Sequence, residues 1–478
     1  MARSSSTRGP APKCGPGRLG VLAVTAVLLS APLAMSGSVA PATASVASTA
    51  AATGSSVDVA WGDRSLQVRQ VTTVTGSVVP AEAGRPVVVE RASGGGSWRP
   101  VSALTSTGDE GVFSVRVTHS AVGTFAYRVR AKATETDPAD VISTPVTVTV
   151  DRATTKISSR LSKGRVPVGG KTYLSGSVNP AWGGRTIVLQ RKVPGRWVKA
   201  APPIRVKDDA YRFRVPTRWY GAIAYRTVVG GTGLTTAASS PTRVLRVTPT
   251  YRPAGRASQH SFFGAPRPRW NPCTSVRYRV NTRHTTRGAL ADTKRAVREV
   301  EKATGLNFVY RGRTRKIPSG STTERFPAGT DFVIAWARPR QSRMLASSPT
   351  AAGVGGPLYY PGFSNGDGSS TSWITRGKVV LNAVYKFKPG FGRGYTRGEL
   401  LMHEITHAVG IDHTFSRSQV MFPVMQPGLA RFGAGDLAGL SKVGASRGCV
   451  FSGDDSMGRF SSMPRSVFRA AVPVSRME

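Results

Sequence analysis

The sequence predicts a multidomain chain in which two all-β sandwiches precede an α+β domain that mixes helices and strands. Its 478 residues, 40% of them hydrophobic, exceed what a single core accommodates, so several domains are expected. One unit rich in β-branched residues occurs twice, and patterns typical of a helix and of several strands follow it. Near the end, three of the six histidines stand within eleven residues. We expect the three domains at residues 57–150, 151–249 and 270–450.

Residues 1–44 have the pattern of an export signal. Basic residues precede an apolar run at residues 19–33, and small residues follow at 42–44 as a cleavage site. We expect cleavage after Ala44, with residues 45–56 as a linker; an uncleaved membrane anchor is the alternative. No later apolar run reaches about 18 residues, which predicts no membrane span in the mature chain. The protein is therefore expected to be secreted, either extracellular or associated with the cell wall.

A unit of about 95 residues recurs between residues 57 and 249. Residues 76–91 align with residues 176–191 at an offset of 100, and aromatic positions recur further on: Trp98 with Trp197, Phe113 with Phe213, and Tyr127 with Tyr225. Short alternating runs broken by Gly and Pro turns predict a β-sandwich for each copy. Both copies resemble the immunoglobulin-like modules of secreted bacterial proteins. We expect the two tryptophans to serve in packing rather than as ligand platforms.

The rest of the chain, from residue 250 onward, combines several patterns. Residues 250–269, rich in proline and arginine, predict an extended, mobile linker. Strand patterns follow at residues 275–280, 331–337, 352–360 and 378–383, and an amphipathic helix is expected at residues 290–303, before Gly305. A final helix is expected from Asp436 to about Val443. Residues 451–478 show no clear period and are expected to form a flexible tail.

A further helix is predicted at residues 397–409. Thr396 and Glu399 match the spacing of a capping box at its start, and apolar residues recur behind the polar ones. This helix contains the first two histidines of the run that ends at His413.

That histidine run predicts a zinc site. In a helix His403 and His407 lie one turn apart on the same face, and Gly410 allows a left-handed turn that brings His413 back as a third ligand. The fourth tetrahedral position is then left for water, and Glu404 is placed to accept a proton from it. Ordinary buried or surface histidines are the alternative.

The run resembles the extended signature of the metzincin zinc peptidases, and residues 420–423 (Val-Met-Phe-Pro) are similar to the methionine turn of the matrixin branch. Phe422 stands where that branch usually has tyrosine. The resemblance implies an α+β metzincin catalytic domain at residues 270–450, with Met421 as the floor of the zinc site and Met425 as the alternative. It also implies a zinc-dependent endopeptidase with Glu404 as general base. Residues 353–357 would be the edge strand for a peptide substrate, or equally a plain loop.

Two other features concern stability and metals. Cys273 and Cys449 bracket the last domain and would form a disulfide in an oxidising compartment; two unrelated buried thiols are the alternative. Residues 365–368 (Asn-Gly-Asp-Gly) could bind structural Ca²⁺, although a simple turn is the favoured interpretation.

The formal net charge of +41 favours anionic partners such as cell-envelope polymers. The basic residues are scattered rather than gathered into one block, so no specific nucleic-acid site is indicated. The main functional expectation is a secreted zinc endopeptidase acting on a protein or peptide substrate. The alternatives are a cell-envelope binding protein with an inactive or structural zinc domain, and a zinc hydrolase of a non-peptide wall bond.

Overall fold

The computed structural model describes residues 54–428 and 430–452, together with two short strand segments at residues 469–470 and 475–476. The expected export signal lies outside these residues. The described residues from Ser55 onward belong to one compact unit. None of the helices described combines the length and the apolar character that a membrane crossing requires.

The first repeat is a sandwich of two sheets. Its strands are β1 (Ser56–Trp61), β2 (Ser65–Gln67), β3 (Val71–Val79), β4 (Pro86–Ala92), β5 (Arg99–Pro100), β6 (Thr105–Ser106), β7 (Val112–Thr118), β8 (Gly123–Ala131), β9 (Val141–Ile142) and β10 (Val146–Asp151). One sheet has the order β1-β3-β7 and the other β2-β10-β8-β4-β5, with β6 on β4 and β9 on β8. Strand β7 alternates between exposed and buried residues, so Phe113, Val115 and Val117 all enter the core between the sheets.

The second repeat has the same arrangement. Its strands are β11 (Lys156–Ile157), β12 (Arg160–Leu161), β13 (Arg165–Pro167), β14 (Tyr173–Asn179), β15 (Thr186–Val193), β16 (Arg196–Lys199), β17 (Ile204–Arg205), β18 (Ala210–Arg214), β19 (Gly221–Val229), β20 (Ala238–Ser239) and β21 (Arg243–Thr248). One sheet contains β11, β14, β12 and β18, and the other has the order β13-β21-β19-β15-β16 with β17 and β20 at its margins. In both repeats a short early strand pairs in parallel with the last strand.

Equivalent arginines are buried and donate to backbone carbonyl oxygens in both repeats. Arg85 and Arg185, which the offset of 100 relates, are both buried. Arg85 pairs with Asp137 at 2.7 Å and donates to two backbone carbonyl oxygens, while Arg185 donates to three. These bonds matter because a buried guanidinium without partners is costly. The two repeats therefore share this packing position as well as their sequence pattern.

The two repeated tryptophans also lie in equivalent places. The guanidinium of Arg128 stacks over Trp98 at 4.3 Å from the ring centroid, and that of Arg226 stacks over Trp197 at 4.4 Å. Each ring thus packs against an arginine side chain, from β8 in the first repeat and from β19 in the second.

The last domain contains the helices. Its elements are β22 (Ser261–Phe262), β23 (Pro268–Arg269), β24 (Ser275–Asn281), α1 (Ala289–Thr304), β25 (Asn307–Arg313), β26 (Phe332–Ala337), α2 (Arg343–Ala346), β27 (Ala351–Asn365), β28 (Ser370–Asn382), α3 (Arg397–Ala408), β29 (Ile411–Asp412), α4 (Ala434–Val443) and β30 (Val450–Ser452). Short 3-10 turns stand at Pro339–Gln341 and Ala445–Arg447, and β31 (Arg469–Ala470) and β32 (Ser475–Arg476) come last.

A mixed sheet forms the centre of this domain, with the order β25-β24-β26-β28-β27-β30. Strands β25, β24, β26 and β28 are parallel, whereas β27 runs antiparallel to β28. Alternate residues of β26, namely Phe332, Ile334 and Trp336, share one core cluster with residues of α1, α3 and α4. These three helices therefore cover one face of the sheet.

The segment at residues 250–269 differs from the expected mobile linker. It supplies β22 and β23, which pair with β29 and β28, and it buries Phe263 and Arg269. The hydroxyl of Tyr251 donates to the carbonyl oxygen of Phe432 at 2.9 Å. Its partners lie more than 100 residues away in the sequence, so local composition could not predict this packing.

The described chain is a mostly β, multidomain protein with immunoglobulin-like sandwiches, which confirms that part of the expected fold class. The finer expectation, an α+β metzincin catalytic domain at residues 270–450, is not supported. The described residues contain four α-helices, of which α2 has only four residues, against many strands. The expectation rested on a short motif, and such a motif determines local structure rather than the fold around it.

Candidate metal centre

Helix α3 begins where its capping residues predict. The side chain of Thr396 accepts a hydrogen bond from the backbone N–H of Glu399 at 3.3 Å, which satisfies one of the free donors at the helix start. The Glu399 carboxylate does not close the expected capping box; its Oε1 accepts from the backbone N–H of Gln426 at 2.9 Å. Every residue of α3 is buried, so its polar side chains are held in a fixed environment.

The structure brings His403, His407 and His413 together. Each pair of their Nε2 atoms is separated by 3.1 Å, so the three atoms form a nearly equilateral triangle. Among the residues described, these histidines are the one group of three or more metal-ligating side chains that converges in this way. Three imidazoles aimed at one point match the ligand set of a zinc ion.

The contacts of the Nδ1 atoms show, for two of the three histidines, which ring nitrogen is free to bind a metal. Nδ1 of His403 lies 2.7 Å from the carbonyl oxygen of Val420, and Nδ1 of His407 lies 2.8 Å from that of Ile411. A carbonyl can only accept, so both Nδ1 atoms carry the proton and both Nε2 atoms present lone pairs. Two lone pairs that face each other at 3.1 Å repel unless a cation lies between them, so these residues fit a zinc ion.

Burial keeps these histidines neutral. It lowers the pKa of His403 to about 3, with a smaller effect from His413, and it lowers the pKa of His407 well below its usual value. The pKa of His413 is also lowered by burial, although the nearby Asp412 opposes this effect. Neutral imidazoles are the form that binds metals.

Gly410 allows the chain to return His413 to the helix. Its φ of 105° lies in the left-handed region, and a Cβ at this position would lie 2.3 Å from the carbonyl oxygen of Pro268. Asp412 then holds the backbone, because its Oδ1 accepts from the N–H of His413 at 2.7 Å. Phe263, from the segment that was expected to be a linker, packs on the ring of His407 with 5.5 Å between centroids.

Glu404 is completely buried beside β27. A Cβ on Gly353 would lie 2.8 Å from the Cγ and Oε1 of Glu404, and one on Gly355 would lie 2.3 Å from its backbone oxygen. These glycines therefore allow the strand to pass directly over α3. The segment at residues 353–357 is part of strand β27 rather than a loop; it pairs with β28 along its length, and on its other side Gly353 pairs with Ser475 of β32. A carboxylate next to a metal-bound water could accept its proton, and this role of Glu404 stays a prediction.

Met421 is completely buried and belongs to the same core cluster as α3. Its loop is held by Asp436, whose carboxylate accepts from the backbone N–H groups of Val420, Met421 and Gly433 at 2.7, 3.3 and 2.9 Å. Burial raises the pKa of Asp436 to about 6. Sequence reasoning assigned Asp436 only to the start of α4 and missed this contact.

The other expected sites are also located. A disulfide joins Cys273 to Cys449, with 5.4 Å between their Cα atoms. Residues 365–368 form the turn between β27 and β28, in which Oδ1 of Asp367 accepts from the backbone N–H of Ser369 at 3.1 Å. Asp367 also pairs with Arg447 at 3.3 Å. These contacts are those of a polar turn.

No family model matches this chain, and no curated protein matches it. Solved structures that it resembles include a tetra-tandem repeat in the extending region of a large adhesion protein (14% identity, 41% of this chain and 50% of that one, TM-score 0.26). Two others are the D0-D1 domain of intimin (12%, 41% and 100%, 0.17) and invasin, a bacterial integrin-binding protein (13%, 45% and 43%, 0.28). The chain spans half or less of the length of the first and third of these.

These comparisons correct the expected family and activity. No family model places the chain among the metzincins. The expectation of a matrixin-like zinc endopeptidase, with its protein or peptide substrate, is therefore withdrawn, because no comparison supports it. It depended on a histidine run of eleven residues, which predicts a helix and a ligand set but neither the surrounding fold nor a reaction.

Proposed function

We propose that this chain is an exported binding protein that holds one zinc ion in its last domain and attaches to anionic polymers of a cell envelope. The single observation that carries the zinc assignment is the triangle of Nε2 atoms, 3.1 Å apart, formed by His403, His407 and His413. The attachment rests on charge and on a groove in the second repeat.

Zinc at this centre would have a structural role. His403 and His407 belong to α3, whereas His413 follows β29, so a shared ion would join the helix to the chain that leaves it. Binding of a metal to the folded state alone stabilises that state. We therefore expect the last domain to be more stable with zinc than without it.

The attachment to anionic polymers is supported by the excess of basic side chains and by a basic groove. The chain carries 66 lysines and arginines against 25 acidic residues, and such an excess attracts anionic surfaces. A groove of about 700 Å³ on the second repeat is lined by Arg160, Lys207 and Arg212 together with several serines. No acidic side chain lines it. The groove therefore offers cations and hydroxyl groups to an extended anionic partner.

The test measures retention of the chain from residue 45 onward on beads coated with polyglutamate, beside beads coated with polylysine. We expect retention on polyglutamate only, with release as salt rises, because exposed charges are screened within about 8 Å at physiological ionic strength. A variant with Arg160, Lys207 and Arg212 changed to Gln should elute at lower salt. Its matched control changes three exposed arginines of the first repeat, Arg64, Arg99 and Arg116.

Three outcomes would overturn the proposal. Retention that is insensitive to salt would exclude an electrostatic attachment. Equal elution of the groove variant and its control would exclude the groove. Cleavage of an unfolded protein by the zinc-loaded chain, lost in Glu404→Gln, would show that the protein is a peptidase and not a binding protein.

A further inference from the structure

A small cavity in the last domain concentrates positive charge. Its volume is about 230 Å³, and four of its lining side chains are cationic. These side chains come from separate places in the chain. Arg267 precedes β23 and Arg269 lies in it, whereas Lys442 lies in α4 and Arg447 in the following 3-10 turn. Polar side chains of β27, β28 and the turn between them complete the lining: Asn365, Ser369, Ser370 and Thr371.

Two of the arginines have buried donors without a partner. Arg269 is 1% exposed and donates through Nε to Asn365 at 2.7 Å and through Nη2 to the carbonyl oxygens of Gly448 and Cys449. Its Nη1 is buried and has no hydrogen-bond partner among the described residues. Nε of Arg267 is likewise buried and has no hydrogen-bond partner among the described residues. A buried donor without an acceptor is destabilising, so these atoms indicate a missing acceptor.

The charges of the cavity are not balanced from within. Burial, and then the neighbouring Arg447, lower the pKa of Arg269 to about 10 and also lower that of Arg267. Asp367 pairs with Arg447 at 3.3 Å and is the acidic partner of this cluster, while Lys442 contacts the neutral ring of His260 at 3.1 Å. Four cations thus face one carboxylate, an arrangement that an external anion would relieve.

We propose that this cavity binds a phosphoryl group. A phosphoryl group presents several acceptor oxygens at once, and arginine donors match its geometry through paired N–H groups. A carboxylate has fewer oxygens and would leave more of the lining donors unsatisfied. Neither the three histidines of the metal centre nor any residue of the repeats lines the cavity, so this inference does not depend on the proposed function.

The test titrates inorganic phosphate into the zinc-loaded full chain at 0.15 M NaCl by calorimetry, with dimethyl phosphate and acetate as separate probes. Binding of phosphate to the zinc itself would persist in the cavity variants described next, so these variants separate the two sites. Saturable binding of inorganic phosphate indicates a terminal phosphate, and tighter binding of dimethyl phosphate indicates a phosphodiester; either result supports the proposal. Acetate that binds as tightly as both phosphates, or no saturable binding at all, overturns it.

Variants separate the cavity from the general charge of the protein. The double variant Arg267→Gln, Lys442→Gln should weaken phosphate binding by about tenfold or more, because it removes two charged donors. The control Arg116→Gln, Lys171→Gln removes the same charge at exposed positions of the two repeats and should leave binding unchanged. Equal loss in both variants would overturn the proposal. The single variant Lys442→Gln, at an exposed position, serves if the double variant unfolds, and unchanged binding by it would count against the cavity.

Discussion

Glu399 makes the stability of the last domain depend on pH. Its carboxyl is 2% exposed, Oε2 has no hydrogen-bond partner among the described residues, and burial raises its pKa from 4.5 to about 7. The folded state therefore holds a proton that the unfolded chain releases at lower pH. The stabilisation by this group is complete below pH 4.5 and is lost as pH rises to about 7. A shift of this size corresponds to about 3 kcal/mol.

The variant Glu399→Gln removes this titration while keeping an oxygen that can accept from Gln426. We expect the wild-type chain to lose about 3 kcal/mol more than the variant between pH 4.5 and 7, measured by chemical denaturation of the metal-free protein. Asp436 also titrates in this range, but it is present in both proteins, so the difference isolates Glu399. The exposed Glu110→Gln is the matched control. Parallel pH profiles of wild type and Glu399→Gln would refute the reasoning.

Three further predictions follow from the metal centre and its surroundings. His407→Ala should abolish zinc binding, measured by metal analysis after dialysis, and retention of one zinc per chain would exclude the proposed ligand set. Gly353→Ala should cost about 1–3 kcal/mol because its Cβ would meet Glu404 at 2.8 Å, whereas Gly392→Ala, with no atom within 4 Å, should be close to neutral in denaturation. Cys273→Ser should lower stability by about 2–4 kcal/mol relative to the oxidised protein, and an equal midpoint under reducing and oxidising conditions for the wild type would contradict this.

Local patterns in the sequence predicted the elements that depend on neighbouring residues. Helix α1 was expected at residues 290–303 and runs from Ala289 to Thr304, where Gly305 ends it with a φ of 71°. Helix α3 was expected at residues 397–409 and is Arg397–Ala408. Each helix has a capping residue and a periodic apolar pattern, and both signals involve residues only a few turns apart. The sequence alone is therefore enough to predict these two helices.

The same local reasoning failed where partners are remote. It took residues 250–269 for a mobile linker, although β22 and β23 pair with strands that follow more than 100 residues later. It assigned a peptidase domain from a short histidine run. It also could not show that Glu399 bonds Gln426 or that Asp436 holds the loop of Met421.

The sequence by itself therefore determined the internal repeat, the main helices and the spacing of the three histidines, because each is a relation between residues close in the chain or a direct repetition. Only the tertiary structure decided which charges meet. Arg269 and Arg447 are separated by 178 positions, yet they share one cavity, because strand pairing and the disulfide bring both ends of the last domain together. Contacts over such distances depend on the folded core, which no local pattern encodes.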